Sequence, residues 1–127
     1  MRYWIARHVE DQFRNEPKNV GIFVRDERGA VAARFVGENE SAAIDRRLLG
    51  PRFRYPDVYL QWVTYWREEI DADRLEPMLK VVTPNYYVSE GGEASDTDAD
   101  SVEAVCSFLY TLLVSERRAF RTNVTCV

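Results

Sequence analysis

The stretch Asn15-Glu16-Pro17-Lys18-Asn19-Val20-Gly21-Ile22-Phe23-Val24 marks the place where a polar loop ends and a strand begins. Its second half is almost continuously apolar, which is typical of a central strand covered on both faces of a sheet. Gly21 interrupts this run, and glycine weakens a strand unless a bulge or a close backbone neighbour requires the missing side chain. We therefore predict a central strand over residues 19–25. At Gly21 we expect a close approach by a neighbouring segment, for which the helix carrying Tyr59 and Trp62 is one candidate.

Three further strands are predicted around this one. Residues 2–9 favour a strand because Tyr3, Trp4, Ile5 and Val9 have high β propensity. A tight turn at residues 26–29 joins the central strand to residues 30–36, so the first three strands form an antiparallel meander. Residues 80–89 predict a fourth strand, broken at Pro84. This strand belongs at an edge, because proline cannot donate a hydrogen bond to a central ladder.

The helices follow from caps and from apolar spacing. Asn39 or Ser41 can cap a short helix that runs to about Leu49, with Ile44, Leu48 and Leu49 facing inward. Pro56 opens a stronger helix, because proline in the first turn loses no hydrogen bond. The apolar residues of this second helix recur at helical spacing; they are Tyr59, Trp62, Val63, Trp66 and Ile70.

Two more helical segments are predicted towards the end of the chain. Residues 75–79 form a short helical turn. A last helix begins near Asp100, whose side chain can cap while Glu103 reaches back in a capping box. Its apolar stripe comprises Val102, Val105, Cys106, Leu109, Leu112 and Leu113. The acidic and glycine-containing segment 90–99 predicts a flexible loop. The sequence thus predicts one α+β domain over residues 1–127, with a small antiparallel sheet packed against two or three helices.

Composition narrows the classes of function. The net charge is −4, which argues against a general binder of the nucleic-acid backbone. No run approaches the roughly 18 apolar residues that a membrane span needs, and the first residues lack the apolar core of a signal peptide. We therefore expect a cytoplasmic protein. In that compartment Cys106 and Cys126 are expected to be free thiols.

Motifs for catalysis and for metal binding are incomplete. The sole histidine, His8, could act as a general base facing Glu10 or Glu16, or could be an ordinary strand histidine. The run 96–100 has acids at alternate positions, as a calcium loop does, but Ser101 and Ser107 stand where that loop needs glycine and glutamate. No zinc motif and no phosphate-binding loop is present. We therefore predict no metal and no cofactor.

Two surface patterns leave alternatives open. Arg46, Arg47, Arg52 and Arg54 alternate with aromatic residues, a pattern that can contact nucleic acid through phosphate charge and base stacking. The same arginines can instead pair with Asp45 and Asp57. The aromatic residues of the second helix can be core, or can form an exposed patch that binds a partner.

A family resemblance rests on the same junction at which the strand begins. Arg2-Tyr3, Arg7, Glu16 and Asn19-Val20-Gly21-Ile22 resemble domain-of-unknown-function family 3037 of bacteria and phages. Its members open with Arg-Tyr and a later arginine, followed by Gly-Glu-x-x-Asn-Val-Gly-Val. The segment 79–84, the two glycines at 91–92, an aspartate and the last helix are similar in order to the later pattern. The chain departs from the family at Asn15, where glycine is usual, and in the segment after Pro84.

The resemblance implies a small companion protein, since some members of the family occur beside kinase-like proteins of the HipA type. It thereby implies a role in a toxin–antitoxin or phage-defence setting, by association alone. We expect a non-enzymatic accessory protein that acts through protein contacts. The alternatives are a small hydrolase or nuclease that uses Arg2, Arg7, His8 and Glu16, and a nucleic-acid-binding module that uses the arginines at 46–54. Glu16 and Asn19 are also candidate binding residues, or they satisfy backbone or arginine groups.

Overall fold

The computed structural model describes residues 1–10, 16–94 and 101–114, and for Arg52 the backbone alone. Four antiparallel strands form one sheet in the order β3-β2-β1-β4. The strands are β1 (Arg2–His8), β2 (Lys18–Arg25), β3 (Val31–Phe35) and β4 (Tyr86–Glu93). Three helices accompany them, namely α1 (Pro56–Asp71), α2 (Leu75–Leu79) and α3 (Val102–Leu113). The predicted α+β fold with an antiparallel sheet is confirmed.

Strand β2 lies inside the sheet, as its apolar run predicts. Residues 20–24 are all buried, because helices cover both faces of the sheet at this point. Phe23 meets the ring of Trp66 on α1, at 6.3 Å between centroids. On β3, Phe35 stacks on the same Trp66, whereas the adjacent Arg34 contacts the ring of Tyr110 on α3. Since successive side chains of a strand point to opposite faces, α1 and α3 lie on opposite sides of the sheet.

Gly21 has the close neighbour that its place in the strand predicts, but that neighbour is not α1. A Cβ added at Gly21 would lie 2.3 Å from Cδ1 of Phe35, the directly paired residue on β3. The ladder with β1 also slips here, since Ala6 pairs with Gly21 while Arg7 pairs with Asn19. The residue between them is therefore a β-bulge. Both reasons for a glycine within a strand apply at this position.

The fourth strand lies at the sheet edge as predicted, but it begins and ends later than predicted. The hydroxyl of Thr83 accepts hydrogen bonds from the backbone of Asn85 and Tyr86, which turns the chain around Pro84. Strand β4 starts only after this turn and pairs with β1 as far as Glu93. Residues 90–93 of the predicted flexible loop are therefore strand. Residues 95–99 of that loop lie outside the described residues.

The predicted helix from Asn39 or Ser41 to Leu49 is wrong. The side chain of Asn39 accepts hydrogen bonds from the backbone of Ser41 and Ala43, and Ala42 has a positive φ. These local side-chain bonds compete with the helical ones, which is why asparagine favours turns. Two short 3₁₀ turns follow, at Arg46–Leu48 and Gly50–Arg52. Of the three residues predicted to face inward, Ile44 and Leu48 are about half exposed, whereas Leu49 is buried.

Helix α1 begins at Pro56 as predicted and buries four side chains of its apolar face, namely Tyr59, Leu60, Val63 and Trp66. Helix α3 is capped one residue later than predicted, because Ser101 Oγ accepts from the backbone of Ala104 at 3.1 Å. It buries Val102, Val105, Cys106 and Leu109. Among the residues described, no helix combines the length and the apolar character needed to cross a bilayer.

Candidate functional site

The four candidate catalytic residues do not meet in one cleft. Arg2 and His8 stand at opposite ends of β1, which separates them by about 20 Å at the usual strand rise. Arg7 points to the sheet face opposite His8, because the two are adjacent in the strand. Glu16 is exposed, and within the described residues no ion pair joins it to the other three. The predicted hydrolase or nuclease cluster is not assembled.

Both arginines of this group are held by β4. Arg2 makes a salt bridge with Glu90, and its guanidinium also lies 5.2 Å from the ring of Trp4. Arg7 Nε donates to Ser89 Oγ at 2.9 Å. These partners come from the strand that pairs with β1, so the two arginines tie the edge strand to the sheet. Their contacts are those of structural residues.

His8 is buried in an aromatic cage. Its ring stacks on Tyr86 at 4.6 Å, and the rings of Tyr59 and Phe53 lie 5.4 and 5.8 Å away. Only 3% of the residue is exposed, and neither ring nitrogen makes a hydrogen bond of normal geometry. The nearest carboxylate is Glu10, with Oε2 lying 3.8 Å from Nε2. Of the two predicted acidic neighbours of His8, Glu10 is the one that the fold provides.

Burial lowers the pKa of His8, and Lys18 adds to this, while Glu10 and the backbone of Asn85 oppose it. The imidazole is therefore neutral at pH 7. With so little of its surface exposed, it has no route to a substrate. A general base needs hydrogen-bond reach to the proton that it removes. The environment of His8 favours a packing role.

Glu10, predicted only as a possible neighbour of His8, connects three segments of the chain. Its carboxylate accepts hydrogen bonds from the backbone of Arg54 at 3.1 Å and of Tyr55 at 2.9 Å, and it lies 3.4 Å from Lys18 Nζ. Burial alone would raise the pKa of Glu10, but these backbone donors, with His8 and Lys18, hold the pKa below its usual range. Glu10 thereby fastens the end of β1 to the start of α1.

Asn19 is confirmed as a residue that satisfies the backbone. Its Nδ2 donates to the carbonyl of Leu113 at 3.1 Å, near the end of α3. The last carbonyls of a helix have no intrahelical partner, so this bond fastens α3 to β2. Glu16 has no corresponding bond to a described residue. Neither residue lines a binding cleft in the described part of the chain.

Two of the four candidate arginines, Arg46 and Arg47, pair with their own neighbours, and the side chain of Arg52 lies outside the described part of the chain. Arg46 forms an ion pair with Asp57 at 2.5 Å, and Arg47 forms a two-pronged pair with Asp45 at 2.9 and 3.0 Å. The guanidinium of Arg47 lowers the pKa of Asp45. Arg54 is exposed and uses its backbone N–H to bind Glu10. This arrangement matches the alternative in which the arginines pair with Asp45 and Asp57.

A cavity of about 300 Å³ lies beside the free edge of β3, between α3 and the loop that follows the strand. Two of its residues, Glu38 and Arg67, form a buried ion pair. Arg67 Nη2 and Nε lie 2.8 and 3.0 Å from the two oxygens of Glu38, and Arg67 also donates to the carbonyl of Ala33. Glu38 in addition accepts from the backbone of Phe35 at 3.2 Å. No spacing rule in the sequence joins residues 38 and 67, so the pair could not be predicted.

The outer face of α1 carries an apolar stripe, which we call the α1 stripe and define as Tyr55, Val58, Trp62 and Tyr65. Tyr55, Val58 and Tyr65 are 55%, 50% and 39% exposed. Trp62 is half-buried and packs on Tyr86 at 4.1 Å and edge-on to Tyr65 at 5.8 Å. Positions 55, 58, 62 and 65 follow helical spacing, so they lie on one face. Of the three aromatic residues in the predicted stripe, Tyr59 and Trp66 are therefore core residues, and Trp62 is half-buried at the edge of the core.

The described residues contain no metal-binding cluster and no activated thiol. Residues 1–10, 16–94 and 101–114 contain no group of three or more side chains that could hold a metal ion. Burial raises the pKa of the Cys106 thiol to about 12, which leaves it protonated and unreactive. Cys126 and the acidic run 96–100 lie outside the described residues.

Comparison with known proteins does not assign this chain to a family. No family model matches the chain, and no curated protein and no solved structure is significantly similar to it.

Proposed function

We propose that this chain is a non-enzymatic accessory protein that binds a partner protein through the α1 stripe. The observation that carries this proposal is the exposure of two tyrosines and a valine on one helix face, around a half-buried tryptophan. Tyrosine and tryptophan are enriched at protein interfaces, where they contribute large contact areas at low entropic cost. Surface apolar residues that cluster in this way mark interaction sites more often than scattered ones do.

Charged side chains accompany the stripe, since Arg54 and Asp57 are both exposed. An apolar centre with a polar rim is the common anatomy of an interface.

The dispersal of the acid–base candidates also supports a binding role. Arg2 and Arg7 are engaged by β4, His8 is buried and Glu16 stands apart. Nucleic-acid binding receives less support, because Arg46 and Arg47 already have carboxylate partners. Neither alternative has an observation that favours it over protein binding.

The partner that we propose is a kinase-like protein of the HipA type, in a toxin–antitoxin or phage-defence setting within the cytoplasm. This choice rests on the resemblance of residues 2–22 to family 3037. The stripe supplies the kind of surface that such a companion protein would need. A second copy of this chain is the competing occupant.

Affinity purification of the tagged chain from its native host, followed by mass spectrometry, tests the proposal. We expect one stoichiometric partner with the wild type and its loss with a Val58→Lys/Tyr65→Lys variant. Both positions are exposed, so the variant should melt within a few degrees of the wild type. Recovery of no partner, together with a monomeric elution profile, would contradict the proposal.

Phe108→Lys on α3 is the matched control. Phe108 is 65% exposed and lies on a helix that packs against the opposite face of the sheet. This variant should keep the partner. If Phe108→Lys loses the partner while the α1 variant keeps it, the binding surface is α3 and the assignment to the α1 stripe is wrong.

A further inference from the structure

The cavity beside the free edge of β3 is lined by a second arginine, Arg34. Arg34 projects from β3 on the side of α3, and its guanidinium carbon lies 4.6 Å from the centre of the Tyr110 ring. Its Nε is buried and has no hydrogen-bond partner. Within the described residues no carboxylate forms an ion pair with it. A buried donor that stays unpaired is costly, more so when it is charged.

The other guanidinium in this cavity is already satisfied. Arg67 is bound by both oxygens of Glu38 and by the carbonyl of Ala33. That pair forms a fixed wall with its charges balanced. Arg34 is thus the one guanidinium of the cavity for which the described residues provide no carboxylate partner.

The rest of the wall is apolar and small. Ala32, Ala33 and Ala42 line the cavity, and the protonated thiol of Cys106 lies beside them. Such a surface fits a compact apolar body. Two acidic residues, Glu40 and Glu103, also line the cavity and are exposed. Their charges repel a multiply charged anion such as phosphate more than a singly charged one.

The geometry points to a binding site for a small monocarboxylate with an apolar body, whose carboxylate pairs with Arg34 and whose body rests on the alanine wall. A planar guanidinium binds a carboxylate through two parallel hydrogen bonds, which suits an arginine better than a lysine here. The volume of about 300 Å³ is at the lower end of ligand pockets, so a ligand of about ten heavy atoms fits. This site is separate from the α1 stripe and does not depend on the proposed partner.

Titration of the ¹⁵N-labelled full chain with sodium benzoate and sodium butyrate, at constant ionic strength, tests the site. We expect saturable amide shifts at Ala33, Ala42 and Ser107, with a dissociation constant on the order of millimolar. Benzyl alcohol and inorganic phosphate should bind at least tenfold more weakly, the first because it lacks the charge and the second because it carries too much.

Substitutions at Arg34 distinguish the contribution of its charge to ligand binding from that of its planar guanidinium shape. Arg34→Gln should weaken benzoate binding at least tenfold. Arg34→Lys should also weaken it, because lysine cannot form the two parallel hydrogen bonds of a guanidinium. Arg28→Gln, an exposed arginine in the β2–β3 turn, should leave it within twofold. Equal binding of benzyl alcohol, or benzoate shifts that persist in Arg34→Gln, would overturn the proposal. If Arg34→Gln does not fold, the comparison of benzoate with benzyl alcohol on the wild type decides the matter.

Discussion

Substitution of Gly21 by alanine perturbs the buried packing between β2 and β3. The new Cβ would lie 2.3 Å from Cδ1 and 2.8 Å from Cε1 of Phe35. Carbon atoms pack at about 3.5–4.0 Å, so the ring must retreat by about 1 Å or more. It has little room, since Phe35 is fully buried, stacks on Trp66 at 5.2 Å and meets Phe23 edge-on at 5.3 Å.

The expected change in the free energy of unfolding is the sum of two opposing effects. Overpacking a well-filled core costs about 1–3 kcal/mol. Alanine recovers about 0.4–1 kcal/mol, because it restricts the unfolded chain more than glycine does. We therefore expect Gly21→Ala to lower the free energy of unfolding by about 1.5 kcal/mol. For a chain of this size that corresponds to a Tm lower by about 4–8 °C.

Thermal and urea unfolding, followed by circular dichroism and tryptophan fluorescence, measure this loss. Gly91→Ala is the matched control: its Cβ would lie 2.1 Å from the ring of Tyr3, but Tyr3 is only partly buried and can turn away. That variant should lose less than about 1 kcal/mol. In a double-mutant cycle, Phe35→Leu should relieve Gly21→Ala by about 1 kcal/mol. An unchanged Tm for Gly21→Ala, or the absence of coupling with Phe35, would refute the close-packing account.

Three further predictions concern the polar residues. Because burial lowers the pKa of His8, the unfolded chain binds its proton more readily. The free energy of unfolding should therefore fall as the pH drops through about 6.5. In urea titrations between pH 7 and 5, the His8→Phe variant should show a weaker dependence of this free energy on pH. A gain of stability by the wild type on acidification would contradict the prediction. Glu38→Ala should lower the free energy of unfolding by about 3–5 kcal/mol, because it leaves the Arg67 guanidinium without its carboxylate partner. Asp57→Ala, at an exposed ion pair, should lower it by less than about 1 kcal/mol in the same urea titrations. Equal losses in the two variants would contradict this prediction. We expect no binding of oligonucleotides through Arg46 or Arg47, because both have carboxylate partners. Fluorescence anisotropy with labelled oligonucleotides at physiological salt measures this. Steeply salt-dependent binding that is weakened in Arg46→Ser would refute the expectation.

The sheet and the main helix could be predicted because their signals are local and periodic. The apolar run 20–24 and the helical spacing of Tyr59 and Trp66 each repeat one rule over several residues, and the structure buries them accordingly. The segment 39–49 could not be predicted in the same way. Its apolar spacing favours a helix, but the side chain of Asn39 bonds to the backbone two and four residues later and ends any helix before it starts.

The candidate site was less predictable, because its contacts are long-range. Arg7 and His8 are neighbours in the sequence, yet strand alternation places them on opposite faces of the sheet. Glu38 and Arg67 are separated by 29 positions and meet only because β3 and α1 pack together. Arg34 has the pattern of a polar residue on an alternating strand, and only the fold shows that no carboxylate among the described residues pairs with it.

The measurement that tests the central claim most directly is the affinity of the purified partner for three forms of this chain by titration calorimetry. The α1 stripe account predicts that Val58→Lys/Tyr65→Lys weakens binding by at least a factor of ten, because two charges would be buried at the centre of the interface. It predicts that Phe108→Lys binds within twofold of the wild type. Equal affinities for the wild type and the α1 variant would contradict the account.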